Sequence, residues 1–217
     1  MAALLTVEIL RSEAIAFAKV ESKFPEPSLY GVTDGKAVGT YLEHKFRAYL
    51  QTKYEFARGN SAKGIDFPDL DVDIKVTSIR QPQSSCPFKS ARQKIYGLGY
   101  SLLVFVYDKR DDPQTQTGRL ELQHTIFVEK AQTGDHQMTA ALRRMIETGA
   151  NRDDVLALFE ERFLPADNVE AQALADEVLR SPPALGYLTI SNALQWRLQY
   201  SRVIEQAGKV EGVLRLA

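Results

Sequence analysis

The stretch Gly64-Ile65-Asp66-Phe67-Pro68-Asp69-Leu70-Asp71-Val72-Asp73-Ile74-Lys75-Val76-Thr77-Ser78 gathers acids, a lysine and a turn-forming proline into a short span. Its second half alternates. Val72, Ile74 and Val76 fall on one face of an extended strand, and Asp71, Asp73, Lys75 and Thr77 fall on the other. At about 3.3 Å per strand residue, the backbones of Asp73 and Lys75 lie about 7 Å apart. That is close enough for a carboxylate-held metal and a lysine head to meet one phosphate. Asp66 lies upstream, across a Pro68 break that can fold it back beside the strand, giving the arrangement D-x6-D-x-K.

The chemistry such a set could perform is hydrolysis of a phosphodiester. That bond resists attack because its charge repels nucleophiles and its alkoxide leaves poorly, so a catalyst needs a cation at phosphorus and an activated water. Clustered carboxylates make a seat for Mg2+, a hard ion that takes a few protein oxygens and keeps positions for water and phosphate. Asp66 and Asp73 are the expected ligands, with the Ile74 carbonyl as a third. Lys75, kept protonated by the acids around it, suits orienting the water and offsetting charge on the phosphorane. A D-x-K on an alternating strand is also an ordinary surface pattern; here the opposite face is fully apolar and the polar face is concentrated rather than scattered. Asp69 and Asp71 stay open as further members. Asp69 forms a literal Pro-Asp pair, but little chain separates it from Asp73, and Asp66 is favoured.

Composition limits what surrounds this stretch. With 217 residues, 44% hydrophobic and 25% charged, the chain suits one globular domain or a core with a helical appendage. A single cysteine, Cys86, excludes an intramolecular disulfide, and three histidines without ligand spacing argue against a zinc site. Met1 to Leu10 is apolar but has no basic region before it, and no run approaches the roughly 18 residues of a membrane span. A cytoplasmic protein with no membrane partner is expected. Lys and Arg total 27 against 28 acids, a net charge of -1, which runs against nucleic-acid binding unless the basic residues are segregated. Between Arg80 and Lys94 the chain carries Arg80, Lys89, Arg92 and Lys94 with no acid. DNA phosphates are expected there, with Gln93 as a base contact.

The elements that must position the acids follow from periodicity and caps. Leu4 to Val20 reads as an amphipathic helix ended by Pro25 and Pro27. Thr33 or Asp34 can cap a second, Ala37 to about Tyr54, with Val38, Leu42, Phe46 and Leu50 toward a core. Glu43 beside that stripe is either half of an exposed i,i+4 pair with Arg47 or an acid of the site. Strand Val72–Ser78, a short helix over 89–98 and the apolar run 101–107 make a βαβ unit, so two parallel strands are expected, with Val72–Ser78 central in its sheet. Leu120 to Val128 supplies another strand. Beyond Met138 the pattern is helical: Thr139–Thr148, a helix capped by Asn151, one capped by Asn168, and a last one from Ser191 carrying Asn192, Gln195 and Arg197 as candidate base contacts.

Gly39-Thr-Tyr-Leu-Glu43-His followed by Asp66-Phe67-Pro68-Asp69-Leu70-x-x-Asp73-x-Lys75 resembles the PD-(D/E)xK nucleases, in particular the mismatch-repair endonuclease MutH and the type II restriction enzymes related to it. The likeness covers about a third of the chain. Asp73 stands where glutamate is commoner. Past Gln81 the match to MutH ends, and Ser85-Cys-Pro-Phe-Lys-Ser-Ala-Arg-Gln-Lys-Ile-Tyr-Gly-Leu-Gly-Tyr100 looks instead like restriction endonucleases. The resemblance makes Glu43 an active-site carboxylate and implies a restriction-endonuclease-like α/β core. That core is a central mixed sheet flanked by helices over residues 1–135, with a helical part over 136–217 contributing recognition. It further implies Mg2+-dependent, site-specific cleavage of double-stranded DNA, a homodimer for a palindromic target and a companion DNA methyltransferase. A MutH-like nicking enzyme and a DNA-binding module that does not cut are the alternatives.

Overall fold

The structure, a computed structural model, describes residues 3–57, 59, 64–87, 89–191 and 196–217. In chain order these form β1 (Ala3–Leu4), α1 (Val7–Glu21), α2 (Gly35–Gln51), β2 (Tyr54–Glu55), β3 (Val72–Ser78), β4 (Gln83–Cys86) and α3 (Arg92–Tyr96). There follow β5 (Ser101–Asp112), β6 (Thr117–Val128), α4 (His136–Glu147), α5 (Arg152–Glu161), α6 (Asn168–Arg180), β7 (Thr189–Ile190), β8 (Trp196–Gln199), α7 (Ser201–Gln206) and β9 (Val213–Arg215). They divide into two compact units, one of residues 1–83, 101–128 and 206–217, the other of residues 84–100 and 129–205.

The first unit is a mixed α/β layer. Its sheet runs β3-β5-β6-β9, with β3 parallel to β5 and the two later pairs antiparallel. The expected parallel pair is therefore present, but β3 is an edge strand and β5 is interior. The reason lies in composition: Leu102 to Val106 is an unbroken apolar run, fully buried, as a strand covered on both faces must be. β3 keeps a polar face and fits an edge. Helices α1 and α2 pack on the sheet. Leu10, Ala14 and Phe17 of α1 and Val38, Leu42, Phe46 and Leu50 of α2 share one core with Ile74, Leu103, Phe105 and Phe127. Asp34 caps α2 through the Lys36 N–H, which starts the helix two residues before Ala37. Thr6 caps α1 in the same way.

The second unit packs α3 to α6 around Ile95, Met138, Leu142, Val155, Phe159, Leu174 and Val178. Asn151 heads α5 with a reciprocal capping box to Asp154, and Asp167 rather than Asn168 caps α6. The segment from Ser191 is corrected: residues 196–199 are a strand, not a helix, in a three-stranded sheet of order β4-β8-β7. Trp196 and Leu198 are buried while Arg197 and Gln199 are exposed, a period of two rather than 3.6. Asn192 and Gln195 lie outside the described residues. No helix among the described residues is long and apolar enough to cross a membrane.

Candidate active site

The turn before β3 and the middle of α2 bring four of the expected side chains together. Phe67 pairs with Val72 in both directions, its N–H donating to the Val72 carbonyl and its carbonyl accepting from the Val72 N–H. That closure folds Pro68–Leu70 into a single 3-10 turn and leaves Asp71 left-handed at φ 50. Asp71 is thus a hinge ahead of the strand, exposed, and not a member of its polar face. Asp69 is exposed as well, its Oδ2 accepting from the Ala57 N–H at 3.2 Å.

Asp66 emerges from the turn beside β3. Its Oδ2 accepts the Ile74 N–H at 2.8 Å, which fastens it to the strand between Asp73 and Lys75. In a strand one residue's N–H and C=O point to the same side, so the Ile74 carbonyl lies along the same edge as Asp66. Lys75 Nζ sits 2.7 Å from Asp73 Oδ2. Across the site, α2 presents Glu43 and, one turn on, Arg47, whose guanidinium is 3.3 Å from Asp66 Oδ1 and 4.0 Å from Glu43 Oε2.

These acids are held against their charge. Asp73 is only 4% exposed; burial first, then the neighbouring Asp66 carboxylate, push its pKa up, and the Lys75 ammonium offsets part of that. Glu43 is pushed up to about 7, chiefly by burial and next by Asp66. Among the described residues no group of three His, Cys, Asp or Glu side chains is arranged to hold a metal. The donor set is instead a pair of facing carboxylates, Asp66 and Asp73, with a main-chain carbonyl beside them. That is a fit for a hard dication that takes one or two carboxylates and completes its shell with water and phosphate.

The expected DNA contacts are dispersed. Arg80 is exposed, 3.6 Å from Asp108. Lys89 is exposed. Arg92 makes a forked pair with Glu177, the shorter contact 2.7 Å. Gln93 spends its amide locally, accepting from the Lys89 N–H and donating to the Leu98 carbonyl. Lys94 is buried, its pKa lowered by that burial, and lines a cavity of about 350 Å³ with Asp135 and Arg162. Arg197 is exposed on β8. The acids that answer Arg80 and Arg92 come from distant parts of the chain, so an acid-free run in sequence does not stay acid-free in space. Sequence reasoning treated Arg47 only as a helix partner of Glu43; its contact with Asp66 is long-range and left no sequence signal.

A mixed sheet flanked by helices, with acids and a lysine gathered at its edge strand, defines the class as a restriction-endonuclease-like α/β protein. The comparisons then reach the family. The family described as "Type II restriction enzyme NspV" matches residues 4–215. The chain is also 63% identical over 211 residues to the type II restriction enzyme NspV of Nostoc sp., covering 97% of this chain and 96% of that one. No solved structure matches. The chain belongs to the type II restriction enzyme NspV family, and it is a site-specific endonuclease of double-stranded DNA.

Proposed function

We propose that this restriction enzyme cuts through a PD-(D/E)xK-type site in which Asp66 and Asp73, with the Ile74 carbonyl, hold Mg2+. The observation that carries the reading is the 2.8 Å hydrogen bond from the Ile74 N–H to Asp66, which sets Asp66, Asp73 and Lys75 on one strand edge. Bound there, the metal would supply charge at the phosphate and a more acidic water. Asp66 and Asp73 bind and orient through their carboxylate oxygens. Lys75, ion-paired to Asp73, keeps its proton, hydrogen-bonds the attacking water and offsets charge building on the phosphate oxygens. Glu43, which burial and then Asp66 push up to about 7 in the metal-free site, faces the same acids from α2, where its carboxyl can take or return a proton.

The remaining parts of the reading concern partners. Arg80, Lys89 and Arg92 are proposed phosphate contacts and Arg197 a proposed base contact, all four exposed, with the unit of residues 84–100 and 129–205 contributing recognition and the unit that carries β3 contributing cleavage. A palindromic target would be met by a homodimer, one site per strand, in a cytoplasm where a companion methyltransferase protects host DNA. The test is incubation of purified protein with unmethylated phage DNA and Mg2+, beside Lys75→Ala, with sequencing of fragment ends. Discrete fragments that vanish with chelator and in the variant are expected. Cleavage that persists undiminished in Lys75→Ala would remove Lys75 from the mechanism.

A further inference from the structure

Arg47 stands one helical turn after Glu43, where an exposed i,i+4 ion pair is the ordinary outcome. The distances depart from it: the guanidinium lies closer to Asp66, at 3.3 Å, than to Glu43, at 4.0 Å. Its Nε is buried and meets no acceptor among the described residues. The same side chain lines a cavity of about 270 Å³ with His44, Gln51 and Phe56. Arginine and carboxylate frequently meet in two parallel bonds. Among the described residues this one instead leaves a buried donor unused while laying positive charge against two acids that otherwise repel each other.

We propose that Arg47 is a resident cation of the metal site: a positioning residue that holds Asp66 and Glu43 together in the free protein and surrenders Asp66 Oδ1 to an incoming divalent ion. The inference rests on the reading of Asp66 and Asp73 as the metal carboxylates. Its physics is competition. A guanidinium and a dication drawn to one carboxylate oxygen repel each other at a few ångströms, enough to alter affinity about tenfold even at the dielectric of water. The antagonism is reciprocal: whatever the arginine takes from metal affinity, the metal takes from the Arg47–Asp66 contact. The free protein thereby keeps its acids assembled with no metal bound, and a metal-binding cost is built into that order.

The experiment is direct Mn2+ binding to DNA-free protein, read as loss of the free-ion electron paramagnetic resonance signal, for wild type, Arg47→Gln, Arg47→Lys and Asp73→Asn. Arg47→Gln is expected to bind Mn2+ about tenfold tighter, and Arg47→Lys, which keeps the charge, to stay near wild type. A prop without competition would give weaker binding in Arg47→Gln, and unchanged or weaker binding overturns the proposal. Asp73→Asn separates the two readings. If it loses Mn2+ while Arg47→Gln gains nothing, only the arginine inference fails; if it binds like wild type, the metal-site reading fails and takes the inference with it. Should Arg47→Gln not fold, the wild-type guanidinium resonances, assigned with Arg47→Lys, must shift on Mg2+ addition, and signals that stay fixed at saturation reject displacement.

Discussion

Glu13 and Glu43 both answer to α2 and are treated oppositely. Glu13, on α1, accepts hydrogen bonds from Lys53, Tyr49 and Tyr54 at and just beyond the C-terminal end of α2. Burial alone would raise its pKa, yet these three donors hold it down at about 2. Glu43, on α2 itself, faces two other acids and is pushed up to about 7. The first cluster is a finished ion-pair network that ties two helices together. The second is an unfinished one, whose acids lack enough donors to settle their charge. Buried Asp135 of the second unit belongs with Glu13: its two oxygens accept the Met138 and Ile190 N–H groups at 2.9 and 2.7 Å. In the second cluster, among the described residues, Asp66 alone has both oxygens met, by the Ile74 N–H and Arg47, while burial beside it pushes Asp73 and Glu43 toward their protonated forms.

The contrast breaks most sharply in activity. Lys75→Ala and Asp73→Asn should each lower the cleavage rate by about 10³-fold, measured on plasmid DNA at saturating Mg2+, whereas Glu13→Gln should leave cleavage within about threefold of wild type. Equal losses at the two clusters would erase the distinction between them.

Next comes Gly59, which a side chain cannot replace. An added Cβ would sit 2.3 Å from the Ile65 carbonyl oxygen and 3.0 Å from that of Asp66. Backbone atoms cannot swing aside as a side-chain tip can, so Gly59→Ala should cost about 1–3 kcal/mol in denaturant unfolding. It should also displace Asp66, with Mn2+ affinity falling more than stability alone explains.

Stability against pH sharpens the same comparison with opposite signs. Glu13 has a folded pKa below its unfolded one, so its contribution is present above about pH 4.5 and is lost as pH falls toward 2. Glu13→Gln should therefore cost about 1 kcal/mol at pH 7, and the gap to wild type should close in acid. Glu43 has a folded pKa above its unfolded one, so the folded state holds the extra proton and stability declines as pH climbs from about 4.5 through 7. Glu43→Gln should melt higher than wild type at pH 8 without metal, and the gain should disappear below about pH 4.5. Parallel pH curves for the two variants would contradict the assignment.

The smallest effect belongs to the surface. Arg92 is paired with Glu177 while half exposed, and Arg92→Ala should move stability by less than about 0.5 kcal/mol. Any larger change would have to appear in DNA affinity and its salt dependence.

What the sequence made legible follows from which signals are local. β3 is bounded at Val72 and Ser78 as its alternation requires, and Asp34 and Asn151 cap the helices they precede, because strand period and caps are written within a few residues. The edge position of β3 was not legible, since it depends on which strand pairs with β5, a choice made across the chain. The helix expected from Ser191 failed because amide and guanidinium residue types outweighed the plain alternation of Trp196 to Gln199. In the site, Asp66, Asp73 and Lys75 could be grouped by spacing. The Arg47–Asp66 contact and the pairing of Arg80 and Arg92 with remote acids could not, because tertiary contacts, not sequence neighbours, create them.

The bond pair between Phe67 and Val72 has one more effect. An edge strand offers its bare N–H and C=O groups to any other strand that comes alongside, and such strands nucleate intermolecular sheets. In β3 both groups of Val72 are taken by Phe67, and the Ile74 N–H is taken by the Asp66 carboxylate. The turn that carries Asp66 is therefore also the guard rail of the sheet. A substitution that loosens it, by removing the Asp66 carboxylate or opening the turn at Pro68, uncovers a sticky strand. Such variants should be recovered as aggregates in proportion to how far they open that edge.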